Sequence, residues 1–225
     1  IPSIVLMENA AREVCKVCIR ELRGIDEPKA VIFAGKGNNG GDGFALARLL
    51  KDRGINCQIV FLFDRSNFSE DAEINYNIAL KCGINIITDF TEAVIETGRS
   101  DIVVDAILGT GISRPVEGIY ASVIEMINTY AKKVISVDIP SGVNSDDGRV
   151  MGMAVNADIT VTFALPKIGM LLYPGASYCG KIEIANISIQ PSTISEMNIK
   201  TAFLDKKDLY NIIPERKKRT NKGSY

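Results

Sequence analysis

Seven short apolar runs, most of the early ones followed by a helix pattern, constrain this chain more than any other feature. The runs are AVIFA (30–34), CQIVFLF (57–63), INII (84–87), DIVVDA (101–106), KVISVD (133–138), DITVTF (158–163) and KIEIANI (181–187). Apolar residues recur at helical spacing over 4–20, where Ile4, Met7, Ala11, Val14 and Cys18 share a face, and helix patterns follow at 42–53, 69–82 behind Ser69, 91–98 and 119–131. Apolar runs with little alternation belong to strands covered on both faces. The pattern therefore predicts an α/β architecture with a mostly parallel sheet between helices. Gly/Pro-rich loops, not helices, join the last runs, which leaves room for an antiparallel or irregular end to the sheet. The apolar face of helix 4–20 has two uses open to it, core packing or pairing two subunits as a homodimer.

The first run breaks into GKGNNGGDG, with glycines at 35, 37, 40, 41 and 43, and a helix pattern starts at once. Strand, glycine turn and helix make a phosphate-holding arrangement: the backbone can approach a ligand, and unpaired N–H groups of the helix start point at it. Asn38, Asn39 and Asp42 exceed what a phosphate cradle needs. The loop lacks the Lys-Ser/Thr ending of a P-loop phosphotransferase and is not a standard dinucleotide fingerprint.

In parallel α/β sheets, ligands bind beyond the carboxyl ends of the strands. Two further strand ends carry polar residues: Asp105 runs into ILGTGISRPVEG, and Asp138 runs into IPSGVNSDDG. Thr110 adds a hydroxyl between Gly109 and Gly111, and Arg114 has a guanidinium suited to a phosphate. Asp42, Asp105 and Asp138 beside an anion site would repel the ligand and one another. Either a cation sits among them, or they bind ribose hydroxyls, or one is kept protonated. Asp105 with oxygens of Asn39 and Ser141 forms a hard-oxygen set suited to an s-block cation and not to zinc; a monovalent ion and Mg²⁺ are both compatible.

Composition narrows the chemistry. There is no histidine, which excludes Ser-His-Asp and Cys-His sites, an H-E-x-x-H metal site and any imidazole base. A net charge of −1 argues against nucleic-acid binding by the whole chain. No apolar run reaches membrane-spanning length, and the start IPSIVLMENAARE has no basic n-region, so no membrane partner or secretory signal is expected. The five cysteines form no disulfide framework and fit a reducing, cytoplasmic setting; Cys15 and Cys18 read as core residues. The chain does not begin with Met and is expected to start inside a longer one. Its basic run Arg216–Arg219 reads as a solvated tail or linker.

MENAA (7–11), GKGNNGGDGFALARLL (35–50), VDAILGTGISRPVEGIYA (104–121), VISVDIPSGVNSDDGRVMG (134–152) and ADITVTFALPKIGMLLYPG (157–175) together resemble the NAD(P)H-hydrate epimerases, the YjeF N-terminal domain family. The resemblance covers about 1–190. It implies a three-layer α/β/α, Rossmann-like fold and interconversion of the R and S forms of NADH or NADPH hydrated at C6 of the nicotinamide ring (NADHX and NADPHX). It implies substrate contacts from Asn38, Asn39, Gly40, Gly41 and Asp42, from Gly109, Thr110, Gly111, Ile112, Ser113, Arg114 and Pro115, and from Tyr120 and Asp138. It also implies one potassium ion per subunit on Asn39, Asp105 and Ser141. Without histidine, Asp138 is the first acid/base candidate and Lys167 the second. PERKKRTNKGSY is similar to the junction into an ADP- or ATP-dependent dehydratase. Residues 1–202 are thus expected to form the epimerase domain, and 203–225 a linker and the start of the dehydratase domain. The rival reading is a non-catalytic nucleotide- or RNA-binding scaffold on the same fold. Relatives of that kind are expected to lose these glycines or aspartates, which this chain keeps. No residue stands out as discriminating NADPH from NADH hydrate.

Overall fold

A computed structural model describes residues 1–64 and 66–202. In chain order the elements are α1 (Ser3–Glu21), β1 (Lys29–Ala34), α2 (Asn38–Lys51), β2 (Asn56–Val60), α3 (Glu70–Lys81), β3 (Asn85–Ile87), α4 (Phe90–Arg99), β4 (Ile102–Ala106), α5 (Ile119–Tyr130), β5 (Val134–Val137), β6 (Ile159–Phe163), β7 (Lys181–Ala185) and α6 (Pro191–Glu196). The chain divides into two compact units, 1–188 and 189–225. The first holds the whole sheet; the described part of the second carries α6, with Pro191 in its first turn, where a missing N–H is harmless. The boundary expected at 202/203 falls inside the second unit, and the expected linker and dehydratase start at 203–225 lie outside the described residues.

The seven strands run in the order β3-β2-β1-β4-β5-β6-β7, and every pairing is parallel. This replaces the antiparallel or irregular end that the sequence left open. Residues 138–158 and 164–180 each exceed the dozen or so residues a parallel crossover needs, so these loops return the chain without a helix of more than one turn. The bridge Val143↔Val150 and a small cluster of Ile139, Val143, Ala154, Met170 and Cys179 hold them down.

Two cores flank the sheet. α1, α2 and α3 cover one face with Ile32, Val104, Ile135 and Val161, while α4 and α5 cover the other with Val31, Phe33, Val103 and Val134. The central strands β4 and β5 are buried at every position, which explains their unbroken apolar runs. The buried stripe of α1, including Met7, Ala11, Val14, Cys15 and Cys18, packs into this chain's own core. Burial pushes the Cys15 and Cys18 thiols up, as expected for inert core residues.

Candidate active site

β1 and β4 lie side by side, yet the chain leaves β1 through α2 toward β2 and leaves β4 toward α5 and β5. That reversal opens a crevice at the carboxyl ends of the two strands. Gly35 closes β1 onto β4 by donating its N–H to the Ala106 carbonyl at 2.9 Å. α2 begins at Asn38, four residues before the helix pattern in the sequence, so Asn38 to Asp42 form its opening turns and not a loop. Glycine disfavours helix, which hid this start. Here close packing overrides propensity: a Cβ on Gly40 would lie 1.9 Å from the Gly35 carbonyl oxygen, and one on Gly41 would lie 2.6 Å from the end of Met7. Gly37 caps the helix without a side chain, leaving first-turn N–H groups free for a ligand.

Beneath the crevice, Asp105 is fully buried. Its Oδ2 accepts from Ser136 Oγ and the Ser141 N–H, both at 2.8 Å, and its Oδ1 accepts from Ser141 Oγ at 2.5 Å. Ser141 Oγ accepts from the Leu108 N–H at 2.9 Å and lies 3.2 Å from the Leu108 carbonyl, to which Asn39 Nδ2 donates at 3.1 Å. Asn39 and Ser141 thus meet at one backbone carbonyl and Asp105 joins them through Ser141, although the three come from α2, β4 and the loop after β5. Asn39 Oδ1 is buried with no hydrogen-bond partner. Burial pushes the Asp105 carboxyl up, against the bonds from Ser141 and Ser136 that pull it down. An unsatisfied amide oxygen, a desolvated carboxylate, a hydroxyl and a carbonyl form an all-oxygen donor set that fits a hard monovalent cation. No cluster of three or more His, Cys, Asp or Glu suited to a metal occurs among the described residues.

Asp138 follows β5 in the left-handed region, φ 65°, which a short Asp side chain tolerates. Its N–H donates to the Val161 carbonyl on β6 at 2.8 Å. Its Oδ1 accepts from the Phe163 N–H at 3.1 Å, from Thr162 Oγ1 at 3.3 Å and from Lys167 Nζ. Lys167 Nζ also donates to Thr162 Oγ1 at 2.9 Å and to the Phe163 carbonyl at 3.1 Å. The ammonium thereby has three acceptors, the carboxylate Oδ1 and two behind it, and Oδ2 has none of these bonds.

A cleft of about 580 Å³ lies over these groups, within the range of small-molecule sites. Of the residues expected from the sequence, Asn38, Asn39, Asp42, Gly109, Thr110, Gly111, Ile112, Tyr120 and Asp138 line it. Gly40 and Gly41 lie behind its wall as packing positions, Ser113, Arg114 and Pro115 are exposed outside the lining, and Lys167 reaches the cleft through Asp138. Tyr120 stacks on Phe63, with ring centroids 4.4 Å apart and planes inclined by 20°. Burial, helped by the charges of Asp138 and Asp71, pushes the Asp42 carboxyl well above the usual range. Lys36, Leu108 and Phe163 also line the cleft and were missed in the sequence. Only Lys36 carried a signal, as a cation inside the glycine motif.

The family model described as "YjeF-related protein N-terminus" matches residues 3–169. The chain is 40% identical over 225 residues to the Bifunctional NAD(P)H-hydrate repair enzyme Nnr of Thermofilum pendens, covering 98% of this chain and 42% of that protein. It is 40% identical over 186 residues to the NAD(P)H-hydrate epimerase of Limosilactobacillus fermentum, covering 83% of this chain and 86% of that protein. The crystal structure of yeast ynu0, YNL200c, shares the fold, with a TM-score of 0.76 at 22% identity over 92% of this chain and 89% of the yeast chain. This chain therefore spans less than half the length of the bifunctional relative.

Proposed function

The chain belongs to the family of YjeF-related protein N-termini, and from that membership we propose that it is an NAD(P)H-hydrate epimerase, interconverting the R and S forms of NADH and NADPH hydrated at C6 of the nicotinamide ring. One observation carries the reading: Asn39 and Ser141 meet at the Leu108 carbonyl, Ser141 is bonded to the buried Asp105, and the cleft beside them also holds Asp138. The S hydrate then passes to an ADP- or ATP-dependent dehydratase on the same or a partner chain.

Inversion at C6 can proceed by ring opening, by loss and return of the hydroxyl, or by removal of the C6 proton. All three routes need a group that takes and returns a proton within hydrogen-bond reach. Asp138 is that group. Its Oδ1 is held by Lys167, Thr162 and the Phe163 N–H, which keeps the carboxylate oriented and leaves Oδ2 for the substrate. Lys167 acts through Asp138 as a positioning residue, since its ammonium is shared among three acceptors. Asp42, favoured in its neutral form, is suited to donate a hydrogen bond to the bound ring. Asn39, Asp105 and Ser141 would hold potassium. When bound, the ion supplies positive charge beside a buried carboxylate and an unpaired amide oxygen, firming the Leu108 turn that forms the cleft wall.

The test follows conversion of the R to the S hydrate of NADPH by chromatography, with and without K⁺. Acceleration over the spontaneous rate, greater with K⁺, is expected. A rate equal to the spontaneous one with folded protein overturns the reading.

A further inference from the structure

Lys36 is the one cationic side chain among the described residues that line the cleft. It stands between Gly35 and Gly37, directly before the uncapped start of α2, and its carbonyl accepts the Ser69 N–H at 3.0 Å, which fixes the backbone. Its side chain is 23% exposed, so most of the lysine is covered by the protein instead of standing in solvent. Arg114, the residue whose guanidinium the sequence suggested for a phosphate, is exposed and outside the lining.

We propose that Lys36 pairs with a phosphate of the dinucleotide substrate, an inference that rests on the epimerase reading. The substrate brings at least two negative charges into a cleft whose other charged groups are carboxyls. Asp138 has Lys167 as its counter-charge, and Lys167 is spent on that contact. Among the described residues Lys36 is paired only with Asp64, at 3.1 Å, and the Asp64 side chain is 66% exposed. A pair so open to water holds weakly, so a phosphate in the less solvated cleft can draw the ammonium from Asp64. The phosphate is either the pyrophosphate common to both hydrates or the 2′-phosphate found only in NADPH hydrate. In the second case Lys36 sets the preference between the two substrates.

Equilibrium dialysis of NADH hydrate and NADPH hydrate, as mixed epimers, against wild type, Lys36→Gln and Lys36→Arg tests this without relying on turnover. Lys36→Gln is expected to weaken binding about tenfold, as for loss of one charge-assisted hydrogen bond, while Lys36→Arg keeps it. Equal loss for both hydrates identifies the pyrophosphate, and loss for NADPH hydrate alone identifies the 2′-phosphate. Unchanged affinity of Lys36→Gln for both, or no binding of either by wild type, overturns the proposal. Wild type that binds the hydrates without converting R to S overturns only the epimerase reading.

Discussion

Replacing Gly40 by alanine probes how the glycine-rich helix start holds the site. The added Cβ would meet the Gly35 carbonyl oxygen at 1.9 Å, its carbon at 2.5 Å and its nitrogen at 2.8 Å. Contacts under 3.0 Å are not sustained, so α2 and the end of β1 must part by about 1 Å. Gly35 has little room to retreat, because its N–H is bonded to the Ala106 carbonyl and the Ile107 carbonyl fills the place a Cβ on Gly35 would take, 1.9 Å from it. The helix start moves instead, carrying Asn39 and Asp42 with it. Overpacking of this kind costs about 1–3 kcal/mol of stability, and a displacement of about 1 Å in a positioned group lowers turnover about 100-fold. Gly98→Ala is the matched control: Gly98 is helical and exposed, and its Cβ meets nothing within 4 Å, so that variant should gain about 0.5–1 kcal/mol. Urea unfolding gives the first quantity and R-to-S conversion the second. A Gly40→Ala protein with wild-type midpoint and rate would refute the packing argument.

Asp138→Asn should keep the fold, because Asn also tolerates the left-handed region, and should lower conversion about 10²–10⁴-fold; wild-type activity removes Asp138 from the chemistry. Asp42 holds its proton more tightly when folded than when unfolded, so stability attached to it is full at acid pH and declines as pH rises above the ordinary carboxyl range. Asp42→Asn should therefore match wild type near pH 4 and exceed it in melting temperature at pH 7; parallel pH–stability curves would show that Asp42 ionises without penalty. Potassium at 100 times its Kd should stabilise wild type by about 2.7 kcal/mol over tetramethylammonium at equal ionic strength, and Asn39→Ala should lose that increment. Equal responses of the two proteins would place the ion elsewhere.

Periodicity and glycine placement revealed the layered α/β order and the polar residues at the three strand ends, and the lack of histidine excluded imidazole mechanisms, because each rests on residue identity and near-neighbour spacing. They misdated the start of α2. Gly40 and Gly41 look like helix breakers in a linear reading, and only the backbone of Gly35 and the end of Met7, brought from elsewhere, make them the residues a helix needs there. They also left the sheet's end undecided, since loops at 138–158 and 164–180 carry no period that distinguishes a parallel return from an antiparallel one. The sequence by itself determined which donors the protein owns: the amides, carboxylates, hydroxyls and lysines that can meet a dinucleotide and a hard cation. The tertiary structure alone decided their partners. Asn39 meets Ser141 at the Leu108 carbonyl and Ser141 bonds Asp105, Lys167 stands behind Asp138, and Lys36 lines the cleft that Arg114 does not. Those pairings join residues far apart in the chain, and the order of strands in the folded sheet brings them together.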